Sequence, residues 1–229
     1  MSRFLNRVAR KVLTSLADRE KLIFLLSNKT EKELLGFKSS GYLYDIGWTN
    51  SITSGDIVDQ SNKPIPWVTY PFMQFIEKRL NKSLEIFEFG CGNSTLYYAD
   101  KAAFVTTVEH DPTWFDTIKS SMPENVKLSF CKLVYGGDYC NYAATSNKIY
   151  DIIIVDGRDR VNCCINAVAA LKPAGVIVLD DSERKQYLPA HSFLNENGFK
   201  KLDFWGIAPA VNYLKCTTIF YRDTNCLQL

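Results

Sequence analysis

The 229-residue chain has 46% hydrophobic and 23% charged residues and a net charge of +2. That suits one packed domain, or a domain with an appendage, and argues against a nucleic-acid-binding surface. No apolar run reaches the roughly 20 residues of a transmembrane helix. Arg3, Arg7, Arg10 and Lys11 interrupt the N-terminus before the core of a signal peptide can form.

Residues 3–26 have a helical period, with Phe4, Val8, Val12 and Leu16 on one face and Leu5 and Leu13 beside it. Basic residues lie on or beside the other face. Such a helix packs on a domain or lies at a membrane surface, and packing is preferred here. Residues 36–69 carry Gly, Ser, Asn, Asp and Pro with little periodicity and are expected to be irregular. The spacing of Phe72, Phe75, Ile76 and Leu80 predicts a helix over 70–80, with Pro71 in its first turn. Residues 1–69 therefore read as a helical and irregular cap, and 70–229 as the main domain.

Seven apolar runs follow, at 84–89, 104–109, 126–131, 151–156, 176–180, 200–206 and 216–221. Helical patterns separate most of them. Between the fourth and fifth, Val161, Cys164, Ile165 and Val168 set a helix that "LKPAG" should end, with Gly175 turning into the next strand. "YDIIIVD" is apolar on both faces, as a strand between two helical layers must be. The alternation predicts an α/β, doubly wound, Rossmann-like sheet of seven strands, mostly parallel with an antiparallel final strand.

The seven cysteines contain no C-x-x-C pair; Cys163 and Cys164 are adjacent and the total is odd. They read as reduced thiols of a cytoplasmic protein, several of them buried, without a structural zinc site.

The first strand runs into "IFEFGCGNST", residues 86–95. Gly90 and Gly92 let a ligand approach the backbone. Cys91 lies between them, and Asn93, Ser94 and Thr95 start the next helix. About twenty residues after Gly90, the second strand ends at Glu109, placed to accept hydrogen bonds from ribose hydroxyls. Two ligand classes use this layout. A dinucleotide motif wants glycine at 95, where Thr95 stands, and its pyrophosphate would be repelled by Glu88. S-adenosylmethionine has an ammonium and a sulfonium, which Glu88 attracts.

From about 70 to 222 the chain resembles the class I S-adenosylmethionine-dependent methyltransferases. "IFEFGCGNST" is similar to their first motif, "VTTVEHD" to the end of their second strand, "YDIIIVDG" to their fourth, and "ALKPAGVIVLDD" to their fifth with its approach. The resemblance implies that Glu88, Gly90 and Gly92 surround the methionine part, with Cys91, Asn93, Ser94 and Thr95 in the same cofactor-binding stretch. It places Glu109 on the ribose, His110 beside the adenosine and Asp156 at the reacting end. Ser94 departs from a common third glycine.

Asp156 ends the fourth strand, and Asp180 and Asp181 end the fifth, about 4.8 Å away across the sheet. This grouping resembles the metal-dependent O-methyltransferases and implies Mg²⁺ or another divalent cation on Asp156, Asp180 and Asp181. The competing expectation is that Asp181 caps a helix, Asp180 bonds loop amides and Asp156 alone faces the substrate. Neighbouring strand residues point to opposite faces, so Asp180 and Asp181 converge only if the strand has ended. Arg158 and Arg160 either hold an acidic substrate or pair with these aspartates. His191 reads as structural. Residues 135–142, "YGGDYCNY", read as a surface loop, with a cover over adenine or substrate as the alternative.

The expected activity is methylation of a small-molecule or glycan hydroxyl, with Asp156 catalytic. The alternatives are an NAD- or nucleotide-sugar-dependent oxidoreductase, an aminopropyltransferase-like enzyme and an inactive adenosyl-ligand-binding module. No nucleic-acid partner is expected, and membrane contact would be peripheral, through residues 3–26.

Overall fold

In the structure, a computed structural model, residues 23–229 are described. Most of the helix expected over 3–26, with its face of Phe4, Val8, Val12 and Leu16, lies outside them. Residues 23–26 are helical, and Ile23, Phe24, Leu25 and Leu26 are exposed. No helix of the described residues is long and apolar enough to cross a membrane.

The strands are β1 (Glu85–Phe89), β2 (Phe104–Glu109), β3 (Val126–Phe130), β4 (Tyr150–Val155), β5 (Leu171–Asp180), β6 (Lys200–Gly206) and β7 (Lys215–Tyr221). They form one sheet in the order β3-β2-β1-β4-β5-β7-β6. β1 to β5 pair in parallel, while β7 is antiparallel to both β5 and β6. The strand order reverses between β1 and β4, so a crevice opens beyond their carboxyl ends.

Alternation along the central strands feeds two cores, because successive side chains leave opposite faces. On one face Phe87, Phe89, Ile153, Val155, Ile177 and Leu179 pack against α7 (Asp138–Thr145), α8 (Arg160–Ala167) and α9 (Leu188–Glu196). On the other, Ile86, Ile152, Ile154, Val176 and Val178 meet α4 (Tyr70–Glu77) and α5 (Asn93–Lys101). Phe72 and Ile76 of α4 are buried; Phe75 and Leu80 pack at the edge of that core. A further helix, α6 (Pro112–Ile118), follows β2. Its N-cap is Asp111, whose Oδ1 accepts from the amides of Thr113 and Trp114.

Three expectations are corrected. Residues 36–69 are not simply irregular. α1 (Lys29–Gly36) ends where the segment begins, and α2 (Tyr42–Asp45) and α3 (Trp48–Ser54) lie within it. These helices are too short for a clear period. α3 is fixed by a tertiary bond instead, in which buried Ser51 donates to the Val58 carbonyl at 2.7 Å. Next, Leu171–Gly175 does not end a helix but forms the first half of β5. The register against β4 jumps from Tyr150–Leu171 to Ile152–Val176, so three extra residues bulge from β5. Finally, most of "YGGDYCNY" is the start of α7, with Tyr139 and Cys140 buried in the core. Tyr135, at 71% exposure, stands out from the surface.

The segment before α4 packs on the loop between β6 and β7. Trp48 Nε1 donates to the Val211 carbonyl at 2.7 Å, and Trp67 Nε1 to that of Pro209 at 2.8 Å. The backbone amide of Tyr70 bonds the Ile207 carbonyl at 3.0 Å.

Candidate active site

Beyond the carboxyl ends of β1 and β4 lies a crevice of about 470 Å³. Two glycines, Gly90 and Gly157, meet in its wall. Gly90, at φ 92°, ends β1 in the left-handed region that favours glycine. A Cβ on it would lie 3.3 Å from the Gly157 Cα. One on Gly157 would meet the Tyr139 hydroxyl at 2.2 Å and the Phe89 carbonyl at 3.0 Å. The two strand ends thus close on each other without side chains, and Glu88 and Asp156 flank the seam.

Glu88 is 1% exposed. Thr95 Oγ1 donates to its Oε2 at 2.6 Å and accepts from the Gly92 amide at 3.1 Å. Thr95, where a dinucleotide motif would have glycine, is the residue that orients the acid. Burial pushes the Glu88 carboxyl up to about 8, against the Ser94 and Thr95 hydroxyls that stabilise its charge. A cationic ligand group at this position restores the ionised form.

Glu109 is held at the end of β2. Its Oε1 accepts from the backbone amides of His110 and Asp111, both at 2.7 Å; His110 Nδ1 lies 2.8 Å from it without the geometry of a hydrogen bond. Cys91 Sγ donates to Oε2 at 3.3 Å. Trp114 leans over this side, its Nε1 donating to the Cys91 carbonyl at 2.9 Å.

Of the residues expected at the cofactor, Glu88, Gly90, Cys91, Ser94, Glu109, His110 and Asp156 line the crevice. Gly92, Asn93 and Thr95 lie behind them. Asn93 turns away, donating to the Ile57 carbonyl at 2.8 Å and so joining α5 to the N-terminal segment.

Across the seam, Asp156, Asp180 and Asp181 do converge. β5 ends at Asp180, and Asp181 takes a left-handed conformation (φ 54°), which swings its side chain to the same cation as its neighbour's. Lys215, at the start of β7, lies 2.7 Å from Asp180 Oδ2 and 2.8 Å from Asp181 Oδ1. Arg160 Nη2 lies 3.0 Å from Asp156 Oδ1, and Nη1 3.4 Å from Asp181 Oδ2. Arg184 completes the set, 2.6 Å from Asp181 Oδ2. Thr217 donates to Asp180 Oδ1 at 2.7 Å.

This corrects the expectation of a metal. The carboxylates are spent on Arg160, Arg184 and Lys215, and among the described residues no group of three His, Cys, Asp or Glu side chains is arranged to hold a metal ion. The donor set does not fit Mg²⁺, which needs carboxylate oxygens free of competing cations. Burial pulls the Lys215 ammonium down, but Asp180 and Asp181 more than reverse it, so it stays charged. Burial and the neighbouring Asp180 push Asp156 up to about 7, against the pull of Arg160 and Lys215.

Sequence reasoning missed Lys215, Arg184, Trp114 and Tyr213, all of which line the crevice. Lys215 had a signal, a single charge opening the apolar strand "KCTTIFY". His191 is structural as expected: its Nε2 is 3.0 Å from the Ser182 carbonyl and its ring meets Phe220 edge-on.

No family model matches the chain, and no curated protein does. Among solved structures, it is similar to an rRNA methylase from Streptococcus thermophilus. The identity is 12% over 69% of this chain and 99% of that one, with a TM-score of 0.51. It is also similar to precorrin-6y C5,15-methyltransferase from Geobacter metallireducens, at 17% identity over 66% of this chain and 87% of that one, with a TM-score of 0.50. At such identities the likeness speaks for the fold: the chain has the Rossmann-like fold found in these methyltransferases.

Proposed function

We propose that the protein is an S-adenosylmethionine-dependent methyltransferase acting on a hydroxyl of a small molecule or sugar. One observation carries it: a buried, protonation-prone carboxylate, Glu88, sits at the glycine seam between β1 and β4. A phosphate-bearing cofactor has no use for an acid there, whereas an ammonium or sulfonium does. Glu109 completes the cradle as the ribose acceptor, its orientation set before any ligand arrives.

When bound, S-adenosylmethionine supplies an electrophilic methyl group. The chain supplies position and a base. Asp156 Oδ1 is held by Arg160, while Oδ2 has no protein donor among the described residues and is open to an acceptor hydroxyl. With its pKa near 7, Asp156 is suited to take that hydroxyl's proton. Residues 23–69 act as a cap, whose Trp48 and Trp67 fix the β6–β7 loop over the acceptor side.

Calorimetry with S-adenosylhomocysteine on the wild type and on Glu109→Ala tests the cofactor assignment. Charge-assisted hydrogen bonds are worth about 1.5–3 kcal/mol, so the variant should bind at least tenfold more weakly. Equal affinities would sink it.

A further inference from the structure

The crevice is divided by charge. Beside Gly90 stand Glu88, Glu109 and Asp111, with His110 but no lysine or arginine. Along the ends of β4, β5 and β7 stand three carboxylates, Asp156, Asp180 and Asp181, against four cations, Arg158, Arg160, Arg184 and Lys215. Three of those cations are committed to the aspartates. Arg158 is not: it is exposed, and among the described residues no carboxylate forms an ion pair with it. The half of the crevice left for the acceptor therefore has a surplus positive charge, located on Arg158.

The backbone under Arg158 is fixed. Asp159 adopts φ 51°, a left-handed conformation held by two bonds. Its Oδ2 accepts from the Gly136 amide at 2.8 Å and its Oδ1 from Asn162 Nδ2 at 2.8 Å. The Arg158 carbonyl accepts from Cys163 Sγ at 3.3 Å, and that of Gly157 from Arg160 Nε at 3.0 Å. Strained residues held this firmly gather at ligand clamps. Consecutive arginines are thereby given separate tasks. Arg160 is buried under the aspartates, and Arg158 is presented to the crevice. Its planar fork matches the paired oxygens of a carboxylate or phosphate. Trp67 and Tyr213 line the same crevice at 51% and 54% exposure, two flat apolar surfaces open to a ring.

Building on the methyl-transfer reading, we propose that the acceptor is a small hydroxylated ring compound bearing an anionic oxyacid group, such as a sugar acid or sugar phosphate. Arg158 binds that group and so determines specificity.

The test uses protein saturated with S-adenosylhomocysteine, titrated with glucuronate, glucose 6-phosphate and glucose. At least one anion should bind at least tenfold more tightly than glucose, with the advantage shrinking in added salt; which anion prevails names the oxyacid. Arg158→Gln should abolish the advantage and Arg158→Lys keep part of it, with S-adenosylhomocysteine affinity and melting temperature unchanged in both. Equal or absent binding of all three sugars would overturn the proposal, as would an advantage that survives Arg158→Gln. Failure of S-adenosylhomocysteine itself to bind the wild type would instead remove the methyl-transfer reading, and this one with it.

Discussion

Arg160 grips Asp156 at two atoms: Nη2 donates to the side-chain Oδ1 at 3.0 Å and to the main-chain carbonyl at 2.7 Å. Its Nη1 reaches on to the Asp180 carbonyl at 2.5 Å. One guanidinium thus ties the end of β4 to the end of β5 and leaves Asp156 a single free oxygen. Asp156→Asn keeps the size and the bond to Arg160 but removes the base. It should lower turnover at least a hundredfold, within the 10²–10⁴ range of general-base catalysis, with little change in S-adenosylhomocysteine affinity. A variant of normal rate would exclude Asp156 from the chemistry.

Since Arg160, Arg184 and Lys215 occupy the three aspartates, activity should be indifferent to chelation. Dialysis against EDTA followed by assay, with and without added Mg²⁺ or Mn²⁺, checks this. Loss restored by the metal would mean that the ion pairs open to admit a cation.

Proton linkage gives a third expectation. Glu88 and Asp156 have folded pKa values near 8 and 7, raised by burial above their ordinary values. Between about pH 4 and 8 the folded state holds protons that the unfolded chain has released, so their contribution to stability is lost as pH rises. The melting temperature of the ligand-free protein should fall from pH 6 to pH 8, and Glu88→Gln should flatten the decline. A positively charged ligand favours ionised Glu88, so S-adenosylmethionine should bind more tightly at pH 8 than at pH 6 and release protons on binding. Calorimetry in buffers of different ionisation enthalpy measures that release; a pH-independent affinity with no proton release would count against Glu88 as the cation's partner.

Gly157→Ala should impair folding and cofactor binding together. The new methyl would collide with the Tyr139 hydroxyl and press on the Phe89 carbonyl. The Tyr139 hydroxyl is buried without a hydrogen-bond partner, so Tyr139→Phe should itself cost little. The double variant should recover part of the lost melting temperature. No recovery would place the main obstruction in the backbone contacts.

Much of the fold was legible because strands sandwiched between two helical layers must be apolar on both sides, as Ile152 to Val155 are. Glu88, Gly90 and Glu109 were legible too, since they stand at or beside the carboxyl ends of β1 and β2, the rim on which such sheets bind ligands. Lys215 and Arg184 were harder to see. Lys215 meets the aspartates only because β7 inserts beside β5, and strand order across a sheet is not written in local periodicity; Arg184 reaches Asp181 through the turn after β5. The left-handed turn at Asp181 was equally hidden: alternation alone sends Asp180 and Asp181 to opposite faces. Gly175 misled because a glycine after "LKPA" suits a helix end, whereas here it packs in a bulged strand against Leu171 and the Tyr150 carbonyl.

Trp48→Phe and Trp67→Phe remove the indole donors that hold the β6–β7 loop. A neutral hydrogen bond is worth about 0.5–1.5 kcal/mol, so each variant should raise the acceptor KM by several fold and leave S-adenosylhomocysteine binding alone. An unchanged KM would reduce the N-terminal segment to an appendage.

The position of β7 also bears on how the site is completed. Asp180 ends, and Asp181 follows, a strand that pairs with the parallel half of the sheet, but the ammonium they share stands on the last strand of the chain, between β5 and β6. Without β7 these acids keep Arg160 and Arg184 but lose the one ammonium that both share, and burying a charge without its partner is costly. The acceptor side therefore reaches its full complement of charges only where the first residue of β7 meets the end of β5.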